Sequence, residues 1–167
     1  MTKVGKLTWD SFVTQVLGLL VEAELPAIIF VRHRKAVEML SEALVSAGYS
    51  AIGVTGLMPC SARGAVQAQI LAGRVEVAVA TECWGTGVDI PNLRSIIMAT
   101  GGQAPIGLRQ RAGRGTRLAE GKESFTIYDM ALGDREAQKT RHKHYCKGGL
   151  DNENAPVIDS DLAKLLG

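Results

Sequence analysis

Residues 110–117, Gln-Arg-Ala-Gly-Arg-Gly-Thr-Arg, place arginines at a spacing suited to gripping a nucleotide phosphate. In a helix over 105–117, Gln110, Arg114 and Arg117 fall at i, i+4 and i+7 and so share one face. Two guanidinium forks then point the same way, the arrangement that bidentate phosphate recognition needs. Gly113 stands among them although glycine costs a helix interior about 1 kcal/mol relative to alanine. A small residue there suggests close approach of a backbone or a ligand. The competing reading is a solvated basic turn on a surface helix.

Three further segments carry chemistry. Thr81-Glu82-Cys83-Trp84-Gly85-Thr86-Gly87-Val88-Asp89-Ile90-Pro91 passes through two glycines and ends at a proline. Gly85 and Gly87 permit a backbone that crosses close to a ligand. Asp89 can accept a hydrogen bond from a ribose hydroxyl, or be an ordinary loop aspartate. Thr81 offers a hydroxyl or an amide to a phosphate, or simply ends a strand. Trp84 either stacks on a base or fills a core. Arg32-His33-Arg34-Lys35 combines cations with the free N–H groups of a helix start, which is a ready phosphate site. A plain helix N-terminus favours acids instead. Thr55-Gly56 forms the last segment.

The rest of the composition narrows the choices. The 167 residues are 46% hydrophobic, enough for one compact core and too few for two comfortable domains. A net charge of +2 does not by itself predict a nucleic-acid binder. Arg135, Lys139, Arg141, Lys143 and Lys147 precede Asp151, Glu153, Asp159 and Asp161, a basic helix followed by an acidic tail. Cys60, Cys83 and Cys146 form no C-x-x-C pair, which argues against a disulfide framework or a zinc site and fits a reducing cytosol. His142, His144 and Cys146 alternate, a spacing that scatters them around a helix, and no metal site is expected. No apolar stretch reaches membrane-spanning length, and no signal-like core follows Lys3 and Lys6. A cytoplasmic protein without membrane contact is the expectation. No G-x-x-x-x-G-K-[ST] occurs, nor an acidic cluster at a strand end to hold Mg²⁺. Arginine fingers without a phosphate cradle imply a cradle elsewhere.

The elements that must position these residues alternate. Residues 8–24 read as an amphipathic helix capped by Thr8, with Pro26 beyond its end. Ala27–Val31 is a continuous apolar run, the mark of a strand buried on both faces. A helix follows over 35–47, closed by Gly48, then a strand over 51–55. A third helix over 61–72 has Ser61 as its cap and Gly73 at its end. Strands are expected over 75–80, 95–99 and 124–129, with helices near 105–117 and 134–145. Such alternation implies an α/β fold, a mostly parallel twisted sheet with helices on both faces. Residues 1–145 make one domain and 146–167 an appended acidic tail. Ligands of such folds lie beyond the carboxyl ends of the strands. Every loaded segment follows a strand, so one edge of one sheet collects them.

These segments together resemble the C-terminal RecA-like lobe of a superfamily 2 helicase or translocase, over roughly residues 25–130. Ala27–Lys35 resembles the fourth helicase motif, Thr81–Pro91 the fifth, and 110–117 matches the sixth, Q-R-x-G-R-x-x-R. The stretch from Thr55-Gly56 through Arg63 to Gly73 resembles the segment between the fourth and fifth. The resemblance implies a three-layer RecA-like fold. It implies that Arg114 and Arg117 are arginine fingers for the γ-phosphate and that Gln110 supports the nucleotide and the attacking water. Gly87, Asp89 and Gly113 would shape the ATP cleft. Arg32, His33, Arg34, Lys35, Thr55, Gly56 and Thr81 would touch the nucleic-acid backbone. ATP with Mg²⁺, the metal held mainly by an N-terminal lobe in cis or in trans, is the implied ligand, and DNA or RNA the implied track. Thr86 stands where DEAD-box proteins usually carry arginine, and Gln110 where they usually carry histidine. That pattern favours another branch of the superfamily, many of whose members act on DNA. A non-catalytic adaptor or decoy, binding nucleic acid or a helicase, is the alternative. A self-sufficient α/β enzyme is the third reading, for which no Ser-His-Asp or Cys-His arrangement is evident.

Overall fold

The computed structural model describes residues 8–81, 84, 90–100 and 126–130. Helices α1 (Trp9–Glu22), α2 (Arg34–Ser46) and α3 (Cys60–Leu71) accompany strands β1 (Ala27–Val31), β2 (Ala51–Val54), β3 (Val77–Ala80), β4 (Ser95–Ala99) and β5 (Thr126–Asp129). The strands form one sheet of order β2-β3-β1-β4-β5, with every pair parallel. The helices expected near 105–117 and 134–145, and the tail over 146–167, lie outside the described residues.

β1 occupies the centre and is buried at all five positions, as its unbroken apolar run requires. Its side chains alternate between two cores. Ala27, Ile29 and Val31 face Phe12, Val16, Leu19 and Leu20 of α1 and Val37, Leu40 and Leu44 of α2. Ile28 and Phe30 face Val66 and Ile70 of α3, together with Trp84, Ile90 and Leu93. The two faces follow from the topology. The chain moves one way across the sheet from β1 to β2 and the opposite way from β2 to β3 and from β3 to β4. Right-handed crossovers must then put α2 on one face and α3, with the described residues Trp84, Ile90 and Leu93 of the β3–β4 connection, on the other. The partition of the two cores obeys this rule.

Local signals set the helix ends. Thr8 caps α1, its hydroxyl accepting from the Ser11 amide at 3.2 Å. α2 ends where Gly48 takes φ 97°, a left-handed turn that lets the Tyr49 amide reach back to the Leu44 carbonyl at 3.0 Å. Gly73, at φ 73°, closes α3 in the same way, with the Arg74 amide on the Gln69 carbonyl at 2.9 Å. The start of α3 differs from expectation. Pro59 rather than Ser61 occupies the cap position and supplies no side-chain cap bond, so Ser61 lies within the first turn. Proline fixes φ at −57° there, and its carbonyl accepts the Arg63 amide at 3.0 Å.

β3 is also shorter than the apolar run around it. The Val75 amide is taken by the Gln69 carbonyl at the end of α3, and the paired register with β1 begins at Val77. At the opposite end of the sheet from the loaded segments, the Ser95 hydroxyl donates to the Glu24 carbonyl at 2.7 Å, and Arg94 pairs with the Glu24 carboxylate at 3.0 Å. Tyr128 is buried beside that region. Burial raises its phenol above the ordinary value of 10.0, and the negative charges of Glu22 and Glu24 push the same way.

Candidate nucleic-acid interface

The parallel register brings Val54, Ala80, Phe30, Met98 and Asp129 to one level across the sheet. One or two residues further along the strands stands the carboxyl edge. Thr55 ends β2, Thr81 ends β3, Arg32 opens the loop after β1, and Thr100 follows β4. Adjacent strands lie about 4.8 Å apart, so roughly 10 Å separates the β2 exit from the β1 exit. Thr55, Gly56, Thr81 and Arg32–Lys35 therefore share one edge, as their positions after strands required.

The β1–α2 junction has the strongest character. Arg32, His33, Arg34 and Lys35 are all exposed. His33 is the cap residue of α2, with extended backbone (φ −119°, ψ 145°) and no side-chain cap bond. No acid stands in the first turn of α2. The helix-start amides and the cations thus present positive potential to the same solvent region. An anion is the ligand this arrangement favours.

Thr81 and Thr55 are half-buried. Of the two groups Thr81 offers, the amide is already used, donating to the Val54 carbonyl at 3.4 Å, while its carbonyl accepts from Trp84 at 3.2 Å. The Thr55 carbonyl accepts the Met58 amide at 3.1 Å, which folds 55–58 into a tight turn. Trp84 is only 3% exposed and packs in the α3-side core. Of its two readings, core filling is the one that holds, and base stacking is excluded by burial.

Arg63, on the first turns of α3, points a guanidinium nitrogen at the Cys60 sulfur, 3.0 Å away. Its Nε is buried with no hydrogen-bond partner among the described residues. Thr100 does not stand out in the sequence, yet it ends β4 on the same edge and is 7% exposed. A signal for it exists, since β2, β3 and β4 each give way to a threonine. Gly87, Asp89, Gln110, Gly113, Arg114 and Arg117 lie outside the described residues. Among the described residues, no three His, Cys, Asp or Glu side chains converge to hold a metal ion, and no helix is long and apolar enough to cross a membrane.

This architecture is shared with known proteins. The chain is similar to the DEAD-box ATP-dependent RNA helicase CshA of Bacillus cereus, at 31% identity over 150 residues, which is 88% of this chain and 28% of that protein. It is similar to the ATP-dependent RNA helicase dbp8 of Aspergillus niger at 29% identity over 125 residues, 75% of this chain and 24% of that one. The chain thus spans about a quarter of the length of these curated relatives. Both are RNA helicases by name and CshA is a DEAD-box one, so this chain's departures at Thr86 and Gln110 do not separate it from DEAD-box relatives, contrary to the expectation of another branch. Among solved structures, the Escherichia coli DEAD-box protein SrmB, bound to regulator of ribonuclease activity A, superposes with a TM-score of 0.65 at 26% identity, covering 78% of this chain and 77% of that one. The C-terminal domain of the DEAD-box protein Dbp5 has the same fold, with a TM-score of 0.69 at 22% identity over 92% and 89% of the two chains. The family model described as helicase conserved C-terminal domain matches residues 11–119, which take in strands β1 to β4 and the arginine-bearing segment. By the match of its sequence over residues 11–119, and with a fold shared with solved helicase structures, this chain belongs to the helicase conserved C-terminal domain family.

Proposed function

We propose that this chain is the C-terminal lobe of an ATP-dependent RNA helicase or translocase, which grips the phosphate backbone of one RNA strand along its carboxyl edge. The observation that carries this reading is the convergence of Arg32, His33, Arg34 and Lys35 with Thr55, Gly56 and Thr81 on that edge. The relatives' names support RNA as the track, in preference to DNA. Contacts of this kind fix the register of a strand without reading its bases, as a lobe that must step along any sequence requires.

The ATP half of the proposal rests on sequence. Arg114 and Arg117 reach the γ-phosphate of an ATP molecule held by a separate, P-loop-bearing lobe, Gln110 supports the attacking water, and Gly87, Asp89 and Gly113 shape the cleft. Guanidinium groups there stabilise charge developing on the transferred phosphoryl oxygens, an effect on the order of 10³–10⁵ in rate. The accompanying Mg²⁺ is assigned to the P-loop-bearing lobe, where the family resemblance puts the acidic residues that hold it.

Salt-dependent RNA binding tests the edge. Log affinity for single-stranded RNA should fall linearly with log salt. Replacing Arg32, Arg34 and Lys35 by alanine should reduce that slope by roughly 0.7 for each phosphate that is no longer neutralised. An unchanged slope in the triple variant would remove these residues from the interface.

A further inference from the structure

Leu57 is 75% exposed, although it is a large aliphatic residue in a short, well-fixed loop. The loop gives it no route inward. The Thr55 carbonyl holds the Met58 amide at 3.1 Å, Met58 packs against the α3-side core, and Pro59 fixes the entry to α3. Leu57 thus occupies a corner of the turn, where Gly, Asn, Asp or Ser normally serves, with three-quarters of its surface exposed. Its position is on the carboxyl edge, directly after Thr55 and Gly56, with the exposed cations of the β1–α2 junction two strands away.

We infer that Leu57 is a nucleic-acid-contacting residue, an apolar projection that packs on the ribose and base faces of the RNA strand while the neighbouring groups hold its phosphates. The inference rests on the proposed RNA-gripping edge and adds a salt-independent component to it. The face of a ribose or of an unstacked base is largely apolar, so an aliphatic side chain packed on it is removed from water. Removing apolar surface from water does not release counterions, so this interaction should change affinity without changing its salt dependence.

The test is fluorescence anisotropy of the full chain with labelled single-stranded oligo(U) at several salt concentrations, for the wild type, Leu57→Ser and Arg34→Ala. Leu57→Ser should weaken binding by roughly three- to tenfold at every salt concentration, since part of a leucine side chain is buried against the strand. Its slope should match the wild type, whereas Arg34→Ala should flatten the slope. The thermal midpoint of Leu57→Ser should not move, because the side chain supports no core. Affinity equal to wild type at all salt concentrations would overturn the inference alone. So would a reduced slope or a lowered midpoint, which would make Leu57 a support for the fold. Failure of the wild type to bind oligo(U) even at low salt would overturn the edge itself and this inference with it.

Discussion

At the scale of single residues, position within the sheet decides what each side chain does. Gly53 and Gly18 show the contrast. A Cβ on Gly53 of β2 would stand 2.9 Å from Val37 Cγ1 and 3.2 Å from Ser41 Oγ, so α2 lies on β2 at a distance only glycine allows. Val37 is β-branched, buried and stiff. Gly53→Ala should therefore destabilise the fold by about 1–3 kcal/mol, read from the urea midpoint. Gly18 sits in α1 with nothing within 4 Å of an added Cβ. Gly18→Ala should stabilise by about 0.5–1 kcal/mol, through helix propensity alone. A titrating residue gives a third contrast. The raised phenol of Tyr128 means that the folded chain keeps its proton where the unfolded chain has begun to lose it. The resulting stability is complete below about pH 10 and is lost as pH rises through the folded value. Urea midpoints measured between about pH 9 and 11 should fall more steeply for the wild type than for Tyr128→Phe. Parallel curves for the two proteins would show that the phenol does not titrate differently on folding.

At the scale of elements, the sequence is legible wherever periodicity and punctuation agree. β1 and β4 are readable to the residue, because continuous β-branched and apolar runs with clear flanks have few alternatives. α1 is readable from Thr8 and Pro26, and the ends of α2 and α3 from Gly48 and Gly73. The start of α3 is misplaced by any reading that weighs serine's cap preference above the proline two residues earlier. Thr100 escapes notice because its neighbours carry no charge, and only the aligned strand ends reveal it as a counterpart of Thr55 and Thr81. Trp84 is undecided by composition, since an indole suits a base or a core equally well. The right-handed β3–β4 crossover resolves it by carrying Trp84 onto the α3 face. Leu57 is invisible in sequence for a related reason: nothing in a Gly-Leu-Met-Pro string tells which of two apolar side chains turns inward.

At the scale of the whole molecule, the chain has the architecture of a helicase C-terminal domain. One edge of a parallel sheet gathers cations, a helix start and strand-ending threonines, while the arginine-bearing segment follows β4 in sequence. The proposed partner lobe would bring the phosphate cradle that this sequence lacks, and closure of the two would join ATP turnover to movement along RNA. An adaptor that only binds RNA would need the cations but not the arginine pair. The most direct measurement is RNA-stimulated ATP turnover by a P-loop-bearing N-terminal lobe from a related RNA helicase, joined to this chain. Turnover should rise on joining, and Arg114→Ala with Arg117→Ala should reduce it by about 10³-fold or more, while RNA affinity at low salt is largely kept. Turnover that rises on joining yet survives the double substitution unchanged would contradict the assignment of these arginines, and with it the account of this chain as the catalytic complement of another lobe.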